Sequence, residues 1–187
     1  MVAVELGVKT ENSVKLNIGC GAYPIPGFFG IDSAADSAAD LRISVPPIPY
    51  ENETVDEIYA GHFLEHLDYE DGQRFLEECY RVLKLDGKLG IVVPDTREIM
   101  RRYLGNMGDY GQHADGRIFK VSDLDDICCY WLFSTVQQSH HKWAYDSETL
   151  ARALQRNGFH IVGEIDRLLD PRLSTGQWYQ VGLDAIK

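Results

Sequence analysis

The run Val14-Lys15-Leu16-Asn17-Ile18 breaks directly into Gly19-Cys20-Gly21, and Asp32 follows Gly21 after only ten intervening residues, at the end of a second apolar run, Phe28-Phe29-Gly30-Ile31. A strand that ends in Gly-x-Gly lets a ligand approach the backbone, because glycine carries no side chain and tolerates unusual dihedrals. In an open α/β sheet this turn lies at the carboxyl ends of the strands, where ligands bind. The short spacing imposes a second constraint. A parallel crossover through a helix takes about a dozen residues or more. The usual first helix is therefore expected to shrink to a turn, leaving one face of the sheet less covered at that end.

The rest of the chain keeps alternating strand-like and helical patterns, which predicts an α/β domain with a mostly parallel sheet. A third strand is expected over 55–60. A helix follows, capped by Asp68, with Phe75, Leu76, Cys79, Tyr80, Val82 and Leu83 as its apolar stripe and Asp86-Gly87 as its exit. A fourth strand is expected over 88–93, closed by Pro94, then a short helix over 96–104 and a glycine-rich loop over 105–116. Residues 123–133 read as helical. Asp146 caps a further helix through Leu154 that ends at Asn157-Gly158. The last two strands, 159–165 and 178–186, are joined by a short connection and so should pair antiparallel. No repeat or linker divides the chain, and 187 residues are read as one domain, 1–187.

The net charge of -11 argues against nucleic acid as a dominant partner, because phosphate backbones repel an acidic protein. No apolar run approaches the ~18 residues of a membrane span, and the N-terminus lacks the pattern of a signal peptide, so a cytoplasmic location is expected. Cys20, Cys79, Cys128 and Cys129 have neither disulfide-framework nor zinc-site spacing and are read as free, mostly buried thiols.

Several further residues suit a nucleoside ligand. Asp32, at the end of the second strand, can accept both hydroxyls of a ribose, with Ser33 or Asp36 able to share the role. Asp40 can accept a hydrogen bond from an adenine amine while Leu41 packs on the ring. In order, Leu16-Asn17-Ile18-Gly19-Cys20-Gly21, Ile31-Asp32, Asp40-Leu41, Ile48-Pro49-Tyr50 to Val55-Asp56-Glu57-Ile58, His62-Phe63-Leu64-Glu65-His66 and Val82-Leu83-Lys84 with Gly87-Lys88-Leu89 resemble class I S-adenosylmethionine-dependent methyltransferases. The resemblance is greatest to small members in which a Pro-Gly step, here Pro26-Gly27, soon follows the glycine turn. It runs from about Val14 to Pro94 and recurs weakly at Trp143-Ala144-Tyr145-Asp146 and over 150–159. It implies a Rossmann-like sheet, S-adenosyl-L-methionine as cofactor, and methyl transfer to a small-molecule or sugar-like acceptor. It also implies that Gly19, Cys20 and Gly21 face the methionine part of the cofactor, Asp32 the ribose, and Asp40 with Leu41 the adenine. Gly61 and His62 would line the sulfonium. Two positions depart from the family: Asn17 stands where an acid is usual, and Tyr23 where a third glycine is usual. Tyr23 can stack on the cofactor or close the pocket.

His62-Phe63-Leu64-Glu65-His66 also fits the H-x-x-E-H pattern of inverted zinc peptidases. That chemistry needs both histidines on one face of a long helix. This segment follows directly on a strand and precedes the helix capped by Asp68, so no metal is expected. Methyl transfer is an in-line displacement at an activated sulfonium, and the protein contributes mainly by positioning the reactants. Where the acceptor carries a proton, His141 is the candidate base, with Trp143 and Tyr145 lining the acceptor pocket. The alternatives are a non-catalytic S-adenosylmethionine-binding or regulatory module, and a nucleotide-binding Rossmann-type protein. The latter would need glycine where Pro24 stands. An oligomer is compatible with the thinly covered sheet face.

Overall fold

The computed structural model describes residues 13–104, 110–112, 118–120, 140–165, 169 and 179–187. The expected helix over 123–133, Cys128, Cys129 and most of the 105–116 segment lie outside the described residues. Seven strands form one sheet: β1 Lys15–Ile18, β2 Phe29–Asp32, β3 Leu41–Arg42, β4 Val55–Gly61, β5 Leu83–Pro94, β8 His160–Glu164 and β9 Gln180–Ile186. Their order is β3-β2-β1-β4-β5-β9-β8. The first five run parallel, while β9 lies antiparallel to both β5 and β8. Two further strands, β6 Tyr110–Gln112 and β7 Ile118–Lys120, pair antiparallel in a small separate sheet. Part of the expected glycine-rich loop is therefore a strand.

The central strand β5 is buried continuously over its last eight residues except Lys88, as expected of a strand covered on both faces. One face carries the main core. There Leu16, Ile18, Ile31, Ile58, Leu89, Ile91 and Val93 meet helix α1, Tyr69–Val82, and helix α3, Ser147–Arg156. The spacing of Phe75, Leu76, Cys79 and Val82 makes one stripe of α1, and all four are fully buried. On the other face the buried cluster among the described residues is small: Ile25, Tyr59 and Val92. No helix joins β1 to β2, so the short spacing has the effect expected of it.

Both expected caps form. Asp68 accepts from the Asp71 amide at 2.9 Å, and Asp146 makes a reciprocal capping box with Thr149. Helix α2, Thr96–Leu104, has its expected bounds. The exit of α1 differs. The helix ends at Val82, because Leu83 turns to extended backbone and pairs with Val55. The Asp86-Gly87 step becomes an irregularity within β5, with Asp86 at φ 62°. Strand pairing wins here over a local glycine signal.

One polar clamp ties the irregular segment before β4 to α1. Arg81 donates to the Ile48 and Tyr50 carbonyls at 3.0 and 2.8 Å, while Glu78 accepts from the Ile48 amide at 2.9 Å. Glu78 and Arg81 are themselves paired at 2.7 Å.

Candidate active site

The carboxyl ends of the parallel strands carry the glycine turn. Gly19 sits at φ 70° and Gly21 at φ 52°, both in the left-handed region that favours glycine. The Gly19 amide donates to the Ile31 carbonyl at 2.8 Å, and the Gly21 carbonyl accepts from the Ala38 amide at 2.7 Å. A Cβ on Gly19 would stand 2.6 Å from Phe63 Cδ2, so the position admits no side chain while Phe63 holds its place.

Asp32 is held by this turn as well as facing it. One carboxylate oxygen accepts from the Gly21 amide and the other from the Ala34 amide, each at 2.8 Å. Each oxygen keeps a further lone pair for a ligand hydroxyl. Asp40, at the surface, accepts from the Gly30 amide at 2.8 Å, and Leu41 beside it is half-buried in β3. The Cys20 side chain is fully buried, with its Sγ against Gly30, so only its backbone is open to a ligand. Tyr23 and Ser33 are exposed. Asn17 is buried and donates from its side chain to the Tyr23 carbonyl at 3.4 Å, joining the two residues that depart from the family pattern.

The second half of the site begins where β4 ends. Gly61 is its last residue, and His62 follows at φ 52°, a left-handed conformation that costs a non-glycine residue energy and tends to mark functional positions. His62 Nδ1 donates to Glu65 Oε1 at 2.9 Å, and His62 Nε2 lies 3.2 Å from Gln180 Oε1. Gln180 reaches this end of the sheet because β9 runs antiparallel, which sets it opposite Pro94. A 3-10 turn, Leu64–His66, then leads into α1, with Leu64 packed fully into the core.

A strap from the distant segment 140–145 crosses this turn. The amides of Lys142 and Trp143 both donate to the Glu65 carbonyl, at 2.8 and 3.2 Å. The strap sets the His141 ring against His66, with centroids 4.7 Å apart, and brings His141 Nε2 to 4.0 Å from Glu65 Oε1. Glu65 is 1% exposed, and its Oε2 is buried without a hydrogen-bond partner among the described residues. Among the described residues Glu65 faces two imidazoles, His62 and His141, each of which forms an ion pair with it only when protonated. Burying a carboxylate costs several kcal/mol unless cations or donors satisfy it, so this position is expensive to maintain.

Trp143 and Tyr69 form a tilted aromatic pair, with centroids 5.0 Å apart, at the start of α1. Both are roughly half exposed, at 43% and 44%. Tyr145 lies inward. It belongs to the main core, its hydroxyl is buried against Gly72, and burial, with the nearby Glu65 charge, pushes its pKa well above the usual phenol value. The fold thus gathers His62, Glu65, His66, His141, Trp143 and Gln180 at one end of the sheet. The sequence reading singled out His62, His141 and Trp143. Glu65 and His66 were visible as part of a methyltransferase-like motif that also fits a peptidase pattern, without a role of their own, and Gln180 carried no signal.

The family of methyltransferase domains matches residues 33–91, from just after Asp32 into β5. Solved structures share the fold over most of the chain. A methyltransferase dependent on S-adenosylmethionine from Mesorhizobium loti is 15% identical, with a TM-score of 0.57 over 94% of this chain and 91% of that one. One from Thermotoga maritima, described as a possible histamine N-methyltransferase, is 17% identical, with a TM-score of 0.59 over 95% and 84%. A third, from Archaeoglobus fulgidus, is 17% identical, with a TM-score of 0.54 over 94% and 86%. The fold is that of class I S-adenosylmethionine-dependent methyltransferases, and about a third of the chain matches the methyltransferase domain family. No curated protein matches the chain. The domain match starts after the glycine turn and ends within β5, so the shortened first crossover lies outside it. No helix among the described residues is long and apolar enough to cross a membrane.

Proposed function

We propose that this chain is a methyltransferase that holds S-adenosylmethionine between the glycine turn and the end of β4, and passes its methyl group to a small-molecule or sugar-like acceptor that docks on the Trp143 side. The observation that carries the cofactor half is the Asp32 carboxylate, which fixes Gly21 and Ala34 by their amides and keeps lone pairs for a ribose. In this reading Gly19, Cys20 and Gly21 meet the methionine part through their backbone. Asp40 and Leu41 meet the adenine, with Tyr23 closing over the pocket and Ser33 beside it. Gly61 and His62 border the sulfonium.

The acceptor half is supported by the half-exposed Trp143 ring beside a histidine-rich cluster. A flat or hydroxyl-bearing molecule can stack on the ring while its reacting group faces His141. His141 would take the departing proton when the acceptor carries one. Tyr145 supports the strap from beneath. The acidic surface favours an uncharged or cationic acceptor over a polyanion.

The test is calorimetric titration of the protein with S-adenosylmethionine and S-adenosylhomocysteine, followed by an acceptor screen that reads product homocysteine conjugate. Micromolar binding of both cofactor forms is expected. Absence of both would overturn the cofactor assignment, and binding without turnover on any acceptor would point to a regulatory module.

A further inference from the structure

We infer that Glu65, His66 and His141 bind one divalent transition-metal ion at the carboxyl end of β4. One ligand atom from each residue falls within 4.8 Å of the others. The two imidazoles meet edge to face at 78°, and Glu65 Oε2 is buried with no hydrogen-bond partner among the described residues. A carboxylate that is 1% exposed and that, among the described residues, faces imidazoles and no lysine or arginine is a group that a cation would satisfy.

The surroundings are those of a held ligand set. His62 donates to Glu65 Oε1, and Gln180 faces the other ring nitrogen of His62, which fixes the carboxylate as outer partners fix metal ligands. The strap that carries His141 is tied by two amides to the Glu65 carbonyl, so both ends of the set share one backbone anchor. His66 and His141 are only partly buried, which leaves the ion a route from solvent.

Two imidazoles and one carboxylate suit zinc, iron, cobalt or nickel better than magnesium or calcium. Bond lengths of ~2.1 Å around a tetrahedral ion place ligand atoms ~3.4 Å apart, so binding draws atoms that now lie within 4.8 Å together by up to ~1.4 Å. Three protein ligands leave a position open for a water or an acceptor oxygen. The ligand set differs from that of the H-x-x-E-H pattern: His62 supports rather than ligates, and the third ligand comes from the strap. No metal was expected from the sequence, because the segment is too short for a zinc-binding helix. The fold supplies what the helix would have. A histidine that ligates has no lone pair left for a proton. With the ion bound, an acceptor hydroxyl in the open position would have its pKa lowered and would release its proton to solvent water, and His141 would no longer serve as base.

The experiment uses the full chain freed of metal by chelator and dialysis, with zinc titrated by calorimetry and cobalt followed by its visible absorption. One ion per chain is expected, with His66→Ala and Glu65→Gln each weakening it by about tenfold or more. His160→Ala, on the exposed strand β8, should leave it unchanged. No stoichiometric binding, or binding that survives His66→Ala and Glu65→Gln, would overturn the site. Circular dichroism of each variant separates loss of ligand from loss of fold. The titration needs neither cofactor nor acceptor, so its failure is distinct from failure of the S-adenosylmethionine titration.

Discussion

Gly19→Ala tests the close approach on which the cofactor pocket rests. The new Cβ would lie 2.6 Å from Phe63 Cδ2 and 2.9 Å from Phe63 Cβ, and the backbone there sits at φ 70°. A left-handed conformation costs a non-glycine residue ~1–2 kcal/mol. Overpacking against a ring adds ~1–3 kcal/mol. Phe63 cannot swing aside freely, since it meets Phe75 edge to face at 5.0 Å and Phe75 is fully buried. The sum is about 2–5 kcal/mol, which for a chain of this length lowers Tm by about 4–20 °C. A domain with the usual ~5–15 kcal/mol of stability stays folded in the cold, where the titration can be run. Thermal melts by circular dichroism should show the drop, and calorimetry should show lost or much weakened S-adenosylmethionine binding. The same substitution in a Phe63→Ala background should cost only the ~1–2 kcal/mol of the dihedral. Equal costs in the two backgrounds would refute the packing argument. Unchanged cofactor affinity in folded Gly19→Ala would refute the placement of the cofactor.

Asp32→Asn places an amide where each carboxylate oxygen now accepts a backbone N–H, so one donor must face another. A charge-assisted bond contributes ~1.5–3 kcal/mol, and S-adenosylmethionine affinity should fall by about tenfold or more; calorimetry showing no change would remove Asp32 from the ribose role. The Arg81 guanidinium beside Glu78 holds that carboxyl below its usual range, with the Ile48 amide adding to the effect and burial opposing it. A carboxyl depressed in the folded state stabilises above its unfolded value of ~4.3, and this contribution is lost as pH falls through the folded value. Glu78→Gln should therefore melt below the parent protein at pH 7, and the gap should close in melts taken below about pH 4. A gap that persists there would show that the clamp acts through packing alone.

The sequence alone determined the order of six strands, β1, β2, β4, β5, β8 and β9, and of the three helices among the described residues, together with the caps at Asp68 and Asp146, the loss of the first helix and the glycine turn. Each of these is a local matter. Apolar spacing sets which face of an element is buried, a capping side chain meets amides within one turn, and a ten-residue connection cannot hold a crossover helix. The tertiary structure decided what no local pattern carries. It ended α1 at Val82, because pairing of Leu83 with Val55 outweighs the glycine signal at Asp86-Gly87. It turned Tyr145 into the core while Trp143, two residues earlier, stayed half exposed. It brought Gln180 to His62 by reversing the last strand, and His141 to Glu65 by laying a remote strap over the end of β4. Contacts between residues far apart in the chain depend on how strands cross and in which direction they run. That is why His141 looks unrelated to the adjacent pair Glu65 and His66 in the sequence and stands beside them in the fold.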